Sequence, residues 1–171
     1  TGRGSKSGEY LQHHKGIDKI AFTGSTEIGR RIGISAAENL IPSTLELGGK
    51  SANIFFEDMD MDLALEGVSL GILFNQGQVC SAGSRIFVQE SVYDEFVGRL
   101  IEEFKKVKVG SPLDAATQMG SQVNENQVKT IEKYVQIGQE EGAKLLTGGS
   151  RYTEGELSNG AFYQPTLFEA T

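Results

Sequence analysis

The sequence has very little of several residue types, and each shortage excludes a class of protein. Its 171 residues include one Cys, no Trp and three Pro. A single Cys excludes a disulfide framework and favours a reducing compartment, so we expect a cytoplasmic protein. No apolar run approaches the roughly 20 residues that a bilayer-spanning helix needs, and no signal-peptide pattern is present, so we expect no membrane partner.

Positive charge is also scarce. Lys and Arg number 16 against 23 Asp and Glu, which gives a net charge of −7. A chain this acidic, with no basic run, binds a phosphate backbone poorly, so we expect no nucleic-acid partner. Ligands for a metal are missing as well, because His13-His14 has no spaced partner and Cys80 has no second Cys. We therefore predict no metal site.

Short apolar stretches alternate with helical patterns along the chain. We predict strands at 17–22, 44–47, 52–56, 85–89, 143–147 and 163–168, and helices at 26–38, 60–74, 93–104 and 124–141. The 60–74 pattern is apolar on both faces, which is typical of a buried helix. Ser91 with Asp94 resembles a capping box at the start of the next helix. The alternation predicts an α/β fold with a parallel sheet. Residues 1–16 are polar and rich in Gly, which predicts a loop leading into a polar surface helix or turn.

Cys80 is the first candidate catalytic side chain. A lone Cys is more often a small buried hydrophobe than a nucleophile. This one stands between the polar stretch 75–78 and the small residues of 81–84, at the end of an apolar helix. A core Cys seldom has such neighbours, so we expect an exposed thiol. If a helix follows it, the helix N-terminus would stabilise the thiolate.

Glu46 and the segment Gly24–Gly29 are further candidates, and each has a plain alternative. Glu46 lies inside the apolar stretch 44–47 and can simply be an outward-facing strand residue. It also precedes a Gly-Gly break at a strand end, where α/β folds place site residues and a general base would fit. Gly24–Gly29 joins a predicted strand to a predicted helix, and backbone N–H groups at such a helix start can hold a phosphate. Many strand-to-helix turns are rich in Gly and Ser, so that pattern alone is weak.

Three motifs together resemble the NAD(P)-dependent aldehyde dehydrogenase family. They are Phe22-Thr23-Gly24-Ser25-Thr26-Glu27-Ile28-Gly29, Leu45-Glu46-Leu47-Gly48-Gly49-Lys50-Ser51 and Phe74-Asn75-Gln76-Gly77-Gln78-Val79-Cys80, in family order. The resemblance extends over essentially the whole chain. It implies a parallel-sheet aldehyde dehydrogenase-like fold. Residues 1–47 would end a Rossmann-type coenzyme domain, and 48–171 would begin the catalytic domain.

The resemblance also implies roles for individual residues. Cys80 would be the nucleophile that forms a thiohemiacetal and then a thioester, with its backbone N–H as one oxyanion donor. Glu46 would activate the water that hydrolyses the thioester. The coenzyme would be bound by Gly24, Ser25, Thr26, Glu27, Ile28 and Gly29, with Ser25 on the pyrophosphate, and by Leu47 and Gly48 near the nicotinamide. Asn75, Gln76 and Gly77 would shape the turn that presents the thiol.

Other family residues have no counterpart in the sequence. They are an upstream oxyanion asparagine, an upstream lysine for the coenzyme ribose and a downstream glutamate for the nicotinamide ribose. We therefore expect a central excerpt that is inactive alone. The expected full-length enzyme is a homodimer or homotetramer that oxidises a small aldehyde with NAD or NADP. Two alternatives stay open: an acylating relative, which the presence of Glu46 disfavours, and an incomplete fragment with only a structural role.

Overall fold

The computed structural model describes residues 1–170, and the chain forms two compact units that divide between Gly49 and Lys50. The first unit contains a π-helical turn (Gly4–Gly8), α1 (Glu9–Gln12), β1 (Ile20–Gly24), α2 (Thr26–Glu38) and β2 (Ser43–Leu47). The second contains β3 (Ala52–Phe55), α3 (Met61–Leu73), β4 (Arg85–Val88), α4 (Tyr93–Lys106), α5 (Glu125–Glu140), β5 (Lys144–Thr147) and β6 (Leu167–Glu169), with short 3₁₀ turns between some of them.

The first unit is a strand–helix–strand arrangement. β1 and β2 are parallel, in a register that runs from Ile20 opposite Ser43 to Gly24 opposite Leu47. α2 connects them and buries Ile32 and Ala36, which keep the helical spacing seen in the sequence. The predicted strand at 17–22 is wrong by three residues at its start, because pairing with β2 and not local hydrophobicity sets the ends of β1. The predicted surface helix or turn within residues 1–16 is present as the π-helical turn and α1.

The second unit is built around a core shared by α3 and α4. Its buried members are Ala64, Leu65, Val68, Phe96, Leu100 and Phe104. The parallel pair β3 and β4 packs on this core through Phe55, whose ring centroid lies 4.9 Å from that of Phe96. The outer face of α3 is exposed, with Leu63 at 67% and Leu70 at 65% of full exposure, so the expectation of an all-round buried helix is wrong for this chain.

Two further expectations fail in the second unit. Ser91 does not cap α4, because its hydroxyl donates to the Glu57 carboxylate at 2.8 Å and Val92 occupies the N-cap position. β5 and β6 are antiparallel, so the parallel pattern does not extend through the whole chain. β6 begins at Leu167 and not at 163, since Tyr163 forms only an isolated bridge with Arg151.

One hydrogen bond ties α4 to β6. The Tyr93 hydroxyl donates to Glu169 Oε1 at 2.7 Å. This bond, with a smaller contribution from burial, raises the pKa of Tyr93 to about 12. The same bond, followed by the attraction of Lys144, lowers the pKa of Glu169. In residues 1–170, no helix is both long and apolar enough to cross a membrane.

Candidate functional site

The carboxyl ends of β1 and β2 form one candidate site within the first unit. β1 ends at Gly24, and Ser25 is the N-cap of α2, with its Oγ accepting the Ile28 N–H at 3.4 Å. Residues 24–28 are exposed, so the first backbone N–H groups of α2 lie at the surface of the unit. A helix start of this kind carries a partial positive charge and is suited to an anion.

Gly29 brings α2 close to the end of β2. It is buried, and a Cβ built on it would overlap the Leu47 Cδ2 methyl group. One turn further along α2, a Cβ on Gly33 would lie 3.7 Å from Leu45 Cδ1, an ordinary contact. Because a Cβ at the first position would require Leu47 to shift, Gly29 lets the start of α2 lie close to Leu47 at the end of β2. The structure thus brings the predicted coenzyme residues 24–29 and 47–48 together.

Glu46 lies at the same edge of this sheet. It is opposite Thr23 in the parallel register, and its side chain is exposed. The neighbouring Leu45 and Leu47 are half-buried and face α2, so the alternation of the strand directs Glu46 to the other face of the sheet. The plain interpretation, an outward-facing strand residue, is correct within this unit. Its catalytic role is a separate question.

Cys80 lies in the second unit, directly after an unusual turn. Asn75, Gln76 and Gly77 follow α3 with φ values of 48°, 57° and 73°, all in the left-handed region. The Gln78 N–H donates to Asn75 O at 3.0 Å and closes the turn. At Gly77 a Cβ would also lie 3.0 Å from the Ile72 carbonyl oxygen. Two non-glycine residues in this region are costly, which marks the turn as a strained segment.

The thiol side chain itself is exposed, as the sequence predicts. No helix follows it, because the chain after the turn at Ser81 has no regular secondary structure until β4 begins at Arg85. The helix N-terminus that would stabilise the thiolate is therefore missing behind the sulfur, because the chain continues into β4, which pairs with β3 from Arg85 onward. The Gly83 N–H donates to Gly71 O at 3.1 Å, and Asn53 Nδ2 donates to Gly83 O at 3.3 Å. These two bonds anchor the chain just after Cys80.

A second anchor lies before Cys80, and sequence reasoning missed it. The Val123 N–H donates to Gln78 Oε1 at 3.2 Å, and Gln122 Nε2 donates to Gln76 O at 3.5 Å. These partners are 45 and 46 positions apart in the chain. The only sequence signal was the run of polar residues at 75–78, which gives no indication of where their partners are. In residues 1–170 we find no group of three or more metal-ligating side chains.

Together these observations define an α/β protein with an anion-suited helix start in one unit and an exposed thiol on a strained turn in the other. A sequence model of the aldehyde dehydrogenase family matches residues 1–171. The chain therefore belongs to the aldehyde dehydrogenase family. It is 51% identical to aldehyde dehydrogenase B of Escherichia coli K12, a match that covers 98% of this chain and 34% of that protein.

Solved structures give the same family and confirm the predicted fold. Betaine aldehyde dehydrogenase from Staphylococcus aureus, solved in complex with NAD+, is 42% identical with a TM-score of 0.95 over 98% of this chain and 33% of that one. A variant of aldehyde dehydrogenase from Bacillus cereus is 42% identical with a TM-score of 0.92 over 98% of this chain and 33% of its own. The chain thus spans about a third of the length of these relatives.

Proposed function

We propose that the chain is the central segment of an NAD(P)-dependent aldehyde dehydrogenase that oxidises a small aldehyde to a carboxylic acid. In this proposal Cys80 is the nucleophile and Glu46 is the general base of hydrolysis. The observation that carries it is the exposed Cys80 thiol at the end of a strained left-handed turn, in a chain that matches the family along its full length. Strained backbone of this kind concentrates at functional sites.

The proposed chemistry begins with acylation of the enzyme. The Cys80 thiolate attacks the aldehyde carbon, so an S–C bond forms and the carbonyl electron pair moves to oxygen. The Cys80 backbone N–H donates to that oxyanion. Bound NAD(P)+ supplies the acceptor for the hydride that leaves the carbon as the C=O bond re-forms. The product of this half-reaction on Cys80 is a thioester.

Hydrolysis of the thioester completes the cycle. Glu46 takes a proton from water as the water oxygen attacks the thioester carbon. The C–S bond then breaks, the carboxylic acid leaves, and the electron pair returns to the sulfur of Cys80. The presence of Glu46 supports hydrolysis over transfer of the acyl group to another acceptor, the reaction of the acylating relatives.

The proposal also assigns the coenzyme site to the first unit. The N–H groups of the first turn of α2, with Ser25, would hold the pyrophosphate, and Leu47 and Gly48 would lie near the nicotinamide. The exposed helix start and the close approach of Gly29 to Leu47 support this fit. Residues 1–47 would then belong to the coenzyme domain and 48–171 to the catalytic domain. We place the full-length enzyme in the cytoplasm as a homodimer or homotetramer.

Trapping the acyl-enzyme tests the division of roles. In the full-length enzyme, Glu46→Gln removes the base but not the nucleophile, so we expect deacylation to slow by about 10²–10⁴-fold. A single burst of reduced coenzyme should appear, and mass spectrometry should find the acyl group of the substrate on the Cys80 peptide. Glu38→Gln, at the C-terminal end of α2 and away from the proposed site, is the matched control and should turn over normally. An acyl group on any other residue, or steady turnover of Glu46→Gln, would refute the proposal.

A catalytically incomplete structural fragment is the second candidate for the 171-residue chain alone. Its match covers only about a third of the length of the relatives. We therefore expect little or no production of reduced coenzyme by the isolated chain, and steady turnover on a simple aldehyde would contradict this.

A further inference from the structure

The turn that precedes Cys80 cannot hold its shape by its own bonds. It has two internal hydrogen bonds, from Gln78 N–H to Asn75 O at 3.0 Å and from Asn75 Nδ2 to Gln78 O at 3.2 Å. Against these stand two non-glycine residues in left-handed backbone conformations, Asn75 and Gln76. Such conformations persist only where surrounding structure imposes them.

Part of the surrounding structure is the segment of residues 120–123, which we call the clamp. Three polar groups of the clamp bond to the turn. The Val123 N–H donates to Gln78 Oε1 at 3.2 Å, and Gln122 Nε2 donates to Gln76 O at 3.5 Å. With the Gln76 amide oriented so that both its polar atoms are satisfied, its oxygen accepts the Gly120 N–H at 3.0 Å.

The clamp is itself held on both sides. The Gln122 N–H donates to Ala161 O at 2.8 Å, and the Gly110 N–H donates to the carbonyl of the adjoining Met119 at 3.0 Å. Met119 and Gln122 are buried, at 4% and 7% of full exposure, whereas Cys80 is exposed. The buried Gln122 of the clamp therefore bonds to a strained, half-buried turn, and the turn ends two residues before the thiol.

We propose that Gln78 and Gln122 are positioning residues, which hold the Asn75–Gln78 turn against the clamp and so fix the place of the Cys80 thiol. This rests on the proposed role of Cys80 as nucleophile. Neither residue touches the reacting atoms. Their effect is on the attack distance, and displacement of a reacting group by about 1 Å can cost on the order of 100-fold in rate.

A pair of substitutions at Gln78 separates positioning from general packing. Gln78→Met keeps the length of the side chain but removes the oxygen that accepts the Val123 N–H. Gln78→Glu keeps an oxygen at that place. In the full-length enzyme we expect Gln78→Met to lower kcat about tenfold with KM unchanged, which corresponds to the loss of one hydrogen bond of ordinary strength. Gln78→Glu should restore most of kcat, and Gln136→Met on α5 is the matched control.

Hydrogen exchange of the peptides that contain Asn75–Cys80 and Val123 is the second readout. Gln78→Met should exchange faster in both peptides, and Gln78→Glu should not. Unchanged exchange in Gln78→Met would overturn the clamp. Faster exchange with unchanged kcat would overturn the positioning role. Equal loss of kcat in both Gln78 variants would also overturn it. If Cys80→Ala stayed active, the proposed function would fail, while the exchange result would still decide whether the clamp exists.

Gln122→Met keeps the inference testable if Gln78→Met does not fold. Gln122 Oε1 is buried without a hydrogen-bond partner in the described structure. Methionine removes that unpaired acceptor together with the bond to Gln76 O, so the midpoint of thermal unfolding should not fall. We expect a lower kcat at undiminished thermal stability, which a purely structural role does not produce. A kcat equal to that of the unsubstituted enzyme would overturn the role of Gln122.

Discussion

The two units of the chain build their candidate sites in opposite ways. In the first unit, the candidate residues lie at the ends of regular elements, where a strand ends and a capped helix begins. The contacts between them are made by α2 and the adjacent strands β1 and β2. In the second, Cys80 lies on irregular backbone whose shape depends on partners 45 or more positions away. The first site follows from the strand–helix–strand fold without added strain, whereas the second requires strained backbone at Asn75 and Gln76.

This difference predicts where substitutions will be felt. Apart from Glu46, whose proposed role is catalytic, changes in the first unit should act mainly on the free energy of unfolding, since the same contacts hold the helix and form the site. Changes around Cys80 should act mainly on the reaction, because the thiol is exposed and makes little contribution to packing. The following substitutions test that contrast.

Cys80→Ala should have the largest effect. In the full-length enzyme we expect aldehyde oxidation to fall by at least about 10⁴-fold, the order of loss that follows removal of a covalent nucleophile. The thermal midpoint should not change, because the side chain is exposed. The measurement is formation of reduced coenzyme, with Ser81→Ala as the adjacent control. Normal activity of the Cys80 variant would remove the distinction between the units.

Gly29→Ala should have the largest effect on stability in the first unit. Its Cβ would overlap a methyl group of Leu47, and overpacking of this kind costs about 1–3 kcal/mol. Gly33→Ala is the matched control, because its Cβ has room and alanine favours the helix by about 0.5–1 kcal/mol. Urea unfolding should therefore rank Gly33→Ala above the parent sequence and Gly29→Ala below Gly33→Ala. Equal stability of the two variants would show that Leu47 moves aside freely.

Helix caps offer a smaller comparison across the units. Asp60 caps α3 through a 3.1 Å bond to the Leu63 N–H, and Ser25 caps α2 through a longer bond of 3.4 Å to Ile28. We expect Asp60→Ala to cost about 1 kcal/mol and Ser25→Ala about 0.5 kcal/mol in urea unfolding. Asp60→Asn and Ser25→Thr keep the capping oxygen and should cost less. A larger cost for Ser25→Ala would reverse the ranking of the two caps.

The Tyr93–Glu169 bond predicts the smallest effect, a pH dependence within the second unit. The pKa of Tyr93 is raised from 10.0 to about 12, so its contribution to stability is complete below pH 10 and is lost as the pH rises towards 12. The pKa of Glu169 is lowered from 4.5, so its contribution is complete above pH 4.5 and is lost as the pH falls further. The difference in thermal midpoint between the parent and Tyr93→Phe should be largest between these limits. A difference that does not vary with pH would contradict the pairing.

Local patterns in the sequence predicted local structure well. The helix predicted at 26–38 has those bounds in the structure, because Ser25 stops the strand and Ile and Ala repeat with helical spacing. The exposure of Cys80 also followed from its small and polar neighbours. The direction of a strand depends on its pairing with a distant segment, which local patterns do not contain. The antiparallel pairing of β5 with β6 was therefore missed.

The site divides in the same way. The meeting of residues 24–29 with 47–48 could be expected, because parallel strands joined by a helix end at the same edge of the sheet. The partners of Gln76 and Gln78 could not, since nothing at 120–123 distinguishes a clamp from an ordinary loop. The Ser91 capping pattern failed for a related reason: its hydroxyl has a distant partner, Glu57, that a short sequence window does not contain.

The bare outer face of α3 decides how this chain must be handled in the laboratory. Leu63 and Leu70 present large hydrocarbon groups to water, and Phe74 follows them at the helix end. Exposed apolar groups of this kind associate with one another in water. The isolated polypeptide should therefore self-associate as its concentration rises, and its thermal midpoint should depend on protein concentration. The protein should therefore be purified at low concentration, and light scattering should be measured before the first assay.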